Sequence, residues 1–233
     1  MDFSSSQVEP ASPPSPGLKD DPPATQRLRM VDQQIMTRGV KDSRVLGVMR
    51  CIPREHFVPT DIAHDAYDDR ALPVGLGQTI SQPYIVAYMT EALGIEPHHQ
   101  VLEIGTGTGY QTAVLAMLAR HVLTIERLPE LSERAAARLA ELKLTNVAFK
   151  IGDGTTGWPE EAPFDRIIVT AAAPGIIPAL VDQLADNGKL VAPIGEESQQ
   201  RLTLIEKVKG RLIERPLIGV RFVRLIGEAA YAE

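Results

Sequence analysis

Short apolar runs alternate with helix-like patterns over the second half of the chain. Each run is apolar at nearly every position, which is typical of a parallel strand buried on both faces. The predicted strands are residues 101–104, 122–125, 146–151, 166–170 and 189–194, and the predicted helices between them are residues 110–119, a segment starting at Pro129, and residues 178–185. This alternation predicts an α/β fold with a doubly wound, mostly parallel, Rossmann-like sheet.

Two helices are predicted ahead of the sheet. Leu28, Val31 and Ile35 recur at helical spacing, and Gly39 offers a left-handed end to that first helix. Asp42 then suits the N-cap of a second helix, because its carboxylate can accept the first free N–H groups. Together these helices predict an N-terminal lobe that rests on the sheet.

The segments on either side of the sheet follow other patterns. Residues 57–83 are rich in Pro and Gly and predict a long loop region, which in compact proteins is often functional. A helix is expected over residues 85–93. After residue 194 strands no longer alternate with helices, and an antiparallel hairpin is predicted around Lys209-Gly210. Its expected strands are residues 201–208 and 211–214, with a last strand over residues 217–225.

Composition narrows the functional class. The formal net charge of −6 argues against a surface built to bind phosphates, so no nucleic-acid partner is expected. The one cysteine, Cys51, permits no internal disulfide and is expected to be a small buried residue. Residues 1–25 hold many Pro and Ser and few large apolar groups, which predicts a disordered tail without the apolar run of a signal peptide. We therefore expect a cytoplasmic monomer without a membrane partner.

The strongest local motif is V-L-E-I-G-T-G-T-G-Y at residues 101–110. A strand runs into three alternating glycines and then a helix, so the backbone turns tightly and a ligand can lie against it. Dinucleotide sites use a similar turn but favour G-x-G-x-x-G. Here the spacing is G-x-G-x-G with Glu103 just before it, and a carboxylate there would favour a cationic ligand over phosphates.

Two more acids follow later strands. Glu126 ends the second strand, about 20 residues after the glycines, where an acid can accept both hydroxyls of an adenosine ribose. Asp153 lies between two glycines after the third strand and could accept a bond from an adenine amino group. The carboxyl ends of parallel strands share one edge of the sheet, so these acids predict a nucleoside site there. No metal is expected, since adjacent His98 and His99 have poor ligand spacing.

One segment is far more specific than the glycine loop. The string L-P-V-G-L-G-Q-T-I-S-Q-P at residues 72–83, together with residues 103–110 and D-R-I-I-V-T-A-A-A-P at 165–174, resembles the protein-L-isoaspartate O-methyltransferases. The likeness extends from about residue 26 to 225. It implies a methyltransferase domain over residues 26–233, with an N-terminal helical and substrate-loop region (26–95) and a cofactor-binding core (96–233). The family commonly has proline after V-R-F-V, where this chain has Arg224.

The resemblance also assigns roles. Ser81 matches the family's active-site serine, and the cofactor is S-adenosyl-L-methionine. The implied cofactor-binding residues are Thr79, Gln82, Glu103, Gly105, Gly107, Gly109, Glu126, Asp153 and Gly154. The expected acceptor is the free carboxylate of L-isoaspartyl residues in damaged proteins and peptides.

The chemistry fits the residue types. A carboxylate is already ionised at neutral pH, so its methylation needs alignment with the donor and exclusion of water but no general base. Ser81 is therefore expected to orient the acceptor without forming a covalent intermediate, and no G-x-S-x-G elbow surrounds it. Two alternatives stay open: a methyltransferase acting on another substrate class, and a nicotinamide-dependent oxidoreductase or silent nucleotide-binding module.

Overall fold

A computed structural model of the protein describes residues 22–196 and 198–232. Most of the predicted tail therefore lies outside the described residues. The first helix, α1 (Pro23–Arg29), begins at Pro23, within the last residues of the predicted tail. In the part of the chain that the structure describes, no helix is long and apolar enough to cross a membrane.

A seven-stranded sheet forms the centre of the molecule, in the order β5-β4-β3-β6-β7-β8-β9. Strands β3 to β7 are parallel, and β8 and β9 extend the sheet in antiparallel fashion. The strands are β3 (Gln100–Ile104), β4 (His121–Glu126), β5 (Val147–Ile151), β6 (Phe164–Val169), β7 (Leu184–Ile194), β8 (Gln200–Val208) and β9 (Arg211–Val220). The predicted α/β class with a C-terminal antiparallel hairpin is confirmed.

Helices connect the parallel strands, and apolar clusters lie on opposite faces of the sheet. The helices are α4 (Tyr110–Ala116), α5 (Pro129–Glu141) and α6 (Pro178–Asp182). Val101 belongs to one cluster and its neighbour Leu102 to the other, as expected because successive strand residues point to opposite faces. Burial on both faces is why β3, β4 and the second half of β6 are apolar at most positions.

The N-terminal lobe contains α1, α2 (Ser43–Cys51) and α3 (Pro83–Leu93). After α1 the chain continues through a π-helical turn, Met30–Ile35, and reaches Gly39 in the left-handed conformation (φ 97°). The Asp42 carboxylate caps α2 by accepting bonds from Arg44 N and Val45 N. Both predicted helix boundaries are thus observed.

Residues 57–83 contain more order than the predicted loop. A two-stranded antiparallel sheet pairs β1 (Leu72–Gly75) with β2 (Gln78–Ile80). Leu76 and Gly77 form its turn, both with positive φ, as a two-residue hairpin turn requires. Two 3-10 helices, Arg54–Phe57 and Thr60–Asp65, precede this hairpin. Ser81 follows directly after this hairpin.

Two further expectations need correction. The predicted strands 211–214 and 217–225 are one strand, β9, which runs through Pro216 and ends at Val220. Proline is tolerated there because β9 is the edge strand. Cys51 is exposed, not buried. It lies two residues after buried Met49 on α2, about 200° around the helix from it, and so faces solvent.

Candidate active site

A cavity opens at the carboxyl ends of β3, β4 and β6. The chain passes from β3 to β4 on one side and later returns to β6 on the other, and such a reversal creates a crevice in an open α/β sheet. The empty volume of this glycine-loop cavity is about 840 Å³ including its open mouth.

The three glycines of the loop serve different purposes. A Cβ atom on Gly105 would collide with Oγ1 of Thr170, and one on Gly109 would lie 2.8 Å from Cδ1 of Leu139. These two glycines are therefore required by packing inside the protein. A Cβ on Gly107 would meet no protein atom within 4 Å, although Gly107 lines the cavity. Its missing side chain leaves room on the ligand side of the loop.

Glu126 is the acid that lines the cavity. It is 7% exposed, and its oxygens accept bonds from Gly107 N (2.8 Å) and Leu128 N (3.1 Å). A carboxylate offers about four acceptor positions, so each oxygen can accept another bond from a ligand hydroxyl. The carboxylate is thus held in place by the backbone and keeps capacity for a ligand.

Glu103 lies behind the loop rather than along the cavity wall. Its side chain is fully buried, and Oε2 accepts bonds from the hydroxyls of Thr112 on α4 (2.5 Å) and Thr124 on β4 (2.7 Å). Burial raises the pKa of Glu103 to about 8, although the two hydroxyls oppose this. Oε1 has no hydrogen-bond partner among the described residues. Direct contact of Glu103 with the cofactor stays a prediction.

Asp153 is engaged by the chain's own C-terminal segment. Oδ1 accepts bonds from Thr155 N and Oγ1, and Oδ2 accepts a bond from Glu228 N at 2.8 Å. Burial raises the pKa of Asp153, but these bonds outweigh it and hold the pKa below its ordinary value. Gly154 lines the cavity and Asp153 does not. The predicted bond from Asp153 to adenine is therefore untested.

The serine loop lies on the opposite wall. Ser81 and Thr79 line the glycine-loop cavity, and both also line a second, wider groove. The groove extends between this loop and strands β8 and β9, with apolar walls from Ile85, Ile194 and Phe222. Gln82 lines the groove only, and its side-chain amide donates to O and Oδ1 of Asp69. Ser81 thus stands where the two spaces meet.

Thr170 belongs to the segment 165–174 that carries the family resemblance, whereas Arg54 was not singled out from the sequence. Thr170, which lines both spaces, donates its hydroxyl to the carbonyl oxygens of Ile104 and Gly105 and so supports the glycine loop from β6. Arg54 is 0% exposed and donates to the Ser81 carbonyl oxygen. An arginine after a proline carries no sequence signal of burial, so only the fold could reveal it.

The family model of the protein-L-isoaspartate(D-aspartate) O-methyltransferases matches residues 25–230. The chain belongs to this family. A Methanoculleus marisnigri protein-L-isoaspartate O-methyltransferase is 53% identical over 211 residues, covering 91% of this chain and 96% of the relative. The resemblance inferred from residues 72–83 is thereby confirmed.

Solved structures of isoaspartate methyltransferases share the fold. One protein-L-isoaspartate O-methyltransferase superposes with a TM-score of 0.77 at 28% identity, over 89% of this chain and 67% of the other. Another, from Plasmodium falciparum and in complex with S-adenosyl-L-homocysteine, gives a TM-score of 0.74 at 27% identity over 86% and 98%. Membership of the family rests on nearly the whole described chain.

Proposed function

We propose that this methyltransferase transfers a methyl group from S-adenosyl-L-methionine to the free carboxylate of L-isoaspartyl residues in damaged proteins and peptides, which initiates their repair. Family membership supports the reaction. One structural observation supports its location: Thr79, Ser81 and Thr170 line both the glycine-loop cavity and the groove. Cofactor and acceptor are expected to meet beside these hydroxyl groups.

The residues of the glycine-loop cavity fit this cofactor. The open space at Gly107 admits a ligand close to the backbone, and Glu126 retains acceptor capacity for both ribose hydroxyls. Gly154 lines the cavity, and we assign it to the adenine end. Glu103 is buried behind the loop, and its Oε1, which has no partner in the described chain, is proposed to reach the ammonium group through a bridging water.

When bound, S-adenosyl-L-methionine supplies a methyl group on a sulfonium, and its sulfur keeps the electron pair when the acceptor oxygen takes that methyl. The protein's task is alignment, because the acceptor carboxylate is ionised well below neutral pH. Among the described residues, no histidine or lysine lines the cavity or the groove. Their absence suits a transfer that needs no general base.

Ser81 is proposed to hold the acceptor. Its hydroxyl is partly buried and has no hydrogen-bond partner among the described residues, so it can donate to one carboxylate oxygen. A neutral donor orients the acceptor without the strong ground-state stabilisation that a fixed cation would give. The other oxygen stays free to attack the methyl group.

We extend the proposal to a monomer that acts in the cytoplasm on isoaspartyl proteins and peptides. The single cysteine can form no internal disulfide, which suits a reducing compartment.

The test is methylation of a synthetic isoaspartyl peptide with labelled S-adenosyl-L-methionine. We expect a base-labile methyl ester on this peptide and none on its normal aspartyl counterpart. Transfer only to a small molecule or RNA would support a methyltransferase that acts on another substrate class. Binding of NAD without binding of S-adenosyl-L-homocysteine would support a nicotinamide-dependent oxidoreductase or a silent nucleotide-binding module.

Ser81→Ala tests the assignment of the acceptor site. We expect a loss of turnover with little change in the dissociation constant of S-adenosyl-L-homocysteine. Ser43→Ala, on the exposed start of α2, is a matched control and should change neither quantity. The opposite pattern, weak cofactor binding with normal turnover at saturation, would reassign Ser81 to the cofactor.

A further inference from the structure

Arg54 is a fully buried cation at the centre of the N-terminal lobe. Its Nε donates to the carbonyl oxygen of Ala66 (2.7 Å), and its Nη2 donates to that of Ser81 (2.8 Å). The guanidinium carbon lies 4.8 Å from the ring centroid of Tyr110. In the described chain, these carbonyl groups, the Tyr110 ring and Tyr67 lie around the charge, and no carboxylate forms an ion pair with it.

A buried arginine is energetically unfavourable compared with an apolar side chain in the same place. Removing a charge from water costs several kcal/mol, and an apolar side chain of similar volume often serves stability equally well. Burial lowers the pKa of Arg54 to about 10, so the side chain remains protonated at neutral pH. A buried cation bonded to two carbonyl groups fixes the positions of those groups more tightly than apolar packing would.

Two of the three partners of Arg54, Ser81 and Tyr110, belong to the two halves of the active site. Ser81 follows the β1–β2 hairpin and borders the groove, whereas Tyr110 is the first residue of α4, directly after the glycine loop. Both residues also line the glycine-loop cavity. Tyr110 is itself 1% exposed and packs edge-on against Phe57 at 5.4 Å. A single rigid side chain therefore bridges the acceptor side and the cofactor side.

We propose that Arg54 is a positioning residue for methyl transfer, which fixes the Ser81 segment at a set distance from the glycine loop. This inference rests on the proposed function, because the distance matters only if an acceptor on the serine side must align with a methyl group on the glycine side. Arg54 lines neither the cavity nor the groove. Misplacement of reacting groups by about 1 Å can slow a reaction about 100-fold.

Arg54→Lys and Arg54→Met test the proposal. Lysine keeps the charge but lacks the planar fork that reaches two carbonyl groups, and methionine keeps much of the length without charge. For either variant that folds, we expect kcat to fall about 10- to 100-fold. The dissociation constant of S-adenosyl-L-homocysteine should stay within about three-fold, since the cofactor contacts remain.

Arg166→Lys is the matched control. Arg166 also donates to backbone carbonyl groups, those of Leu93, Gly94 and Asp165, but it lines neither the cavity nor the groove. We expect it to lower the melting temperature while kcat is kept. An equal loss of kcat in Arg166→Lys and Arg54→Lys would show that any arginine bonded to backbone carbonyl groups has this effect and would overturn the proposal.

A double-mutant cycle with Ser81→Ala separates positioning from general stability. If Arg54 acts through Ser81, Arg54→Lys should slow the Ser81→Ala enzyme far less than it slows the wild type. Equal slowing in both backgrounds would contradict the proposal.

Hydrogen exchange provides a readout that does not depend on activity. Amides of residues 78–82 should lose protection in Arg54→Lys, while those of β3 and β4 keep theirs. Unchanged protection of residues 78–82 would overturn the positioning role even if the enzyme proved inactive on isoaspartyl peptides. Failure of wild-type methylation with the exchange result intact would instead count against the proposed function.

Discussion

The backbone N–H of Gly107 donates a 2.8 Å hydrogen bond to Oε2 of Glu126. This bond joins the loop after β3 to the end of β4, so the acid expected to bind ribose also sets the shape of the glycine loop. Oε1 of the same carboxylate accepts from Leu128 N. With both oxygens held by backbone groups, the carboxylate is preorganised and loses little freedom when a ligand binds.

Gly107→Ala should damage cofactor binding more than folding. The residue has φ 55°, where alanine costs roughly 1–2 kcal/mol, but its Cβ would meet no protein atom and would occupy ligand space. We expect the dissociation constant of S-adenosyl-L-homocysteine to rise at least about ten-fold, measured by calorimetry.

Gly105→Ala is the contrasting variant. Its Cβ would collide with Oγ1 of Thr170, so we expect a loss of roughly 1–3 kcal/mol in the free energy of unfolding in addition to the backbone strain. Chemical denaturation of both variants measures the difference. Wild-type cofactor affinity in Gly107→Ala would show that the ligand does not approach this side of the loop.

Glu126→Gln should weaken binding of the nucleoside part of the cofactor. The amide keeps one acceptor oxygen and replaces the other with a donor, which cannot accept from a backbone N–H or a ribose hydroxyl. Hydrogen bonds to charged groups contribute about 1.5–3 kcal/mol each, so the dissociation constant should rise roughly 10- to 100-fold. Adenosine and 2′,3′-dideoxyadenosine, compared as competitors, localise the effect. Equal weakening of both nucleosides would place Glu126 away from the ribose.

The parallel strands could be predicted from the sequence because β3, β4 and the second half of β6 are buried on both faces and therefore apolar at most positions. The same property hides the orientation of Glu103, since a mostly apolar strand has no regular polar alternation to mark its faces. The β1–β2 hairpin was missed because its turn is Leu76-Gly77, not the usual Asn-Gly or Asp-Gly. Local sequence reveals strands and caps well, whereas the bond from Arg54 to Ser81 spans 27 residues and depends on the assembled lobe.

Glu103 should make the free energy of unfolding fall as pH rises, which is opposite to the effect of a carboxylate that is ion-paired in the fold. Its pKa is raised to about 8 in the fold, whereas in the unfolded chain it is about 4.3. Between these values the folded protein holds a proton that the unfolded chain has lost. The contribution of Glu103 to the free energy of unfolding therefore falls as pH rises through this window, by up to about 1.4 kcal/mol per pH unit.

Glu103→Gln removes this titration while keeping the shape of the side chain. We expect the unfolding free energy of the variant, relative to wild type, to increase steadily from about pH 5 to pH 8. Urea unfolding at several pH values measures it. Glu133→Gln, on the exposed face of α5, is the control and should give a constant difference. A constant difference for Glu103→Gln as well would mean that the folded carboxyl titrates normally.

The groove should favour peptides with acidic residues beside the isoaspartyl site. Arg201 and Arg221 line it, and in the described chain no carboxylate does, although the protein's net charge is −6. Exposed ion pairs contribute about 0.2–1 kcal/mol, so glutamate in place of lysine at the flanking positions should lower KM several-fold. The advantage should shrink as salt is raised, because exposed charges are screened.

Charge reversal tests whether these arginines cause the preference. Arg201→Glu and Arg221→Glu should each reverse it, because both side chains line the groove. Arg211→Glu changes the net charge equally from the opposite end of β9 and should leave the KM ratio of the two peptides unchanged. If Arg211→Glu shifts that ratio as much as Arg201→Glu does, the preference comes from the overall charge of the protein and the groove has no selective role.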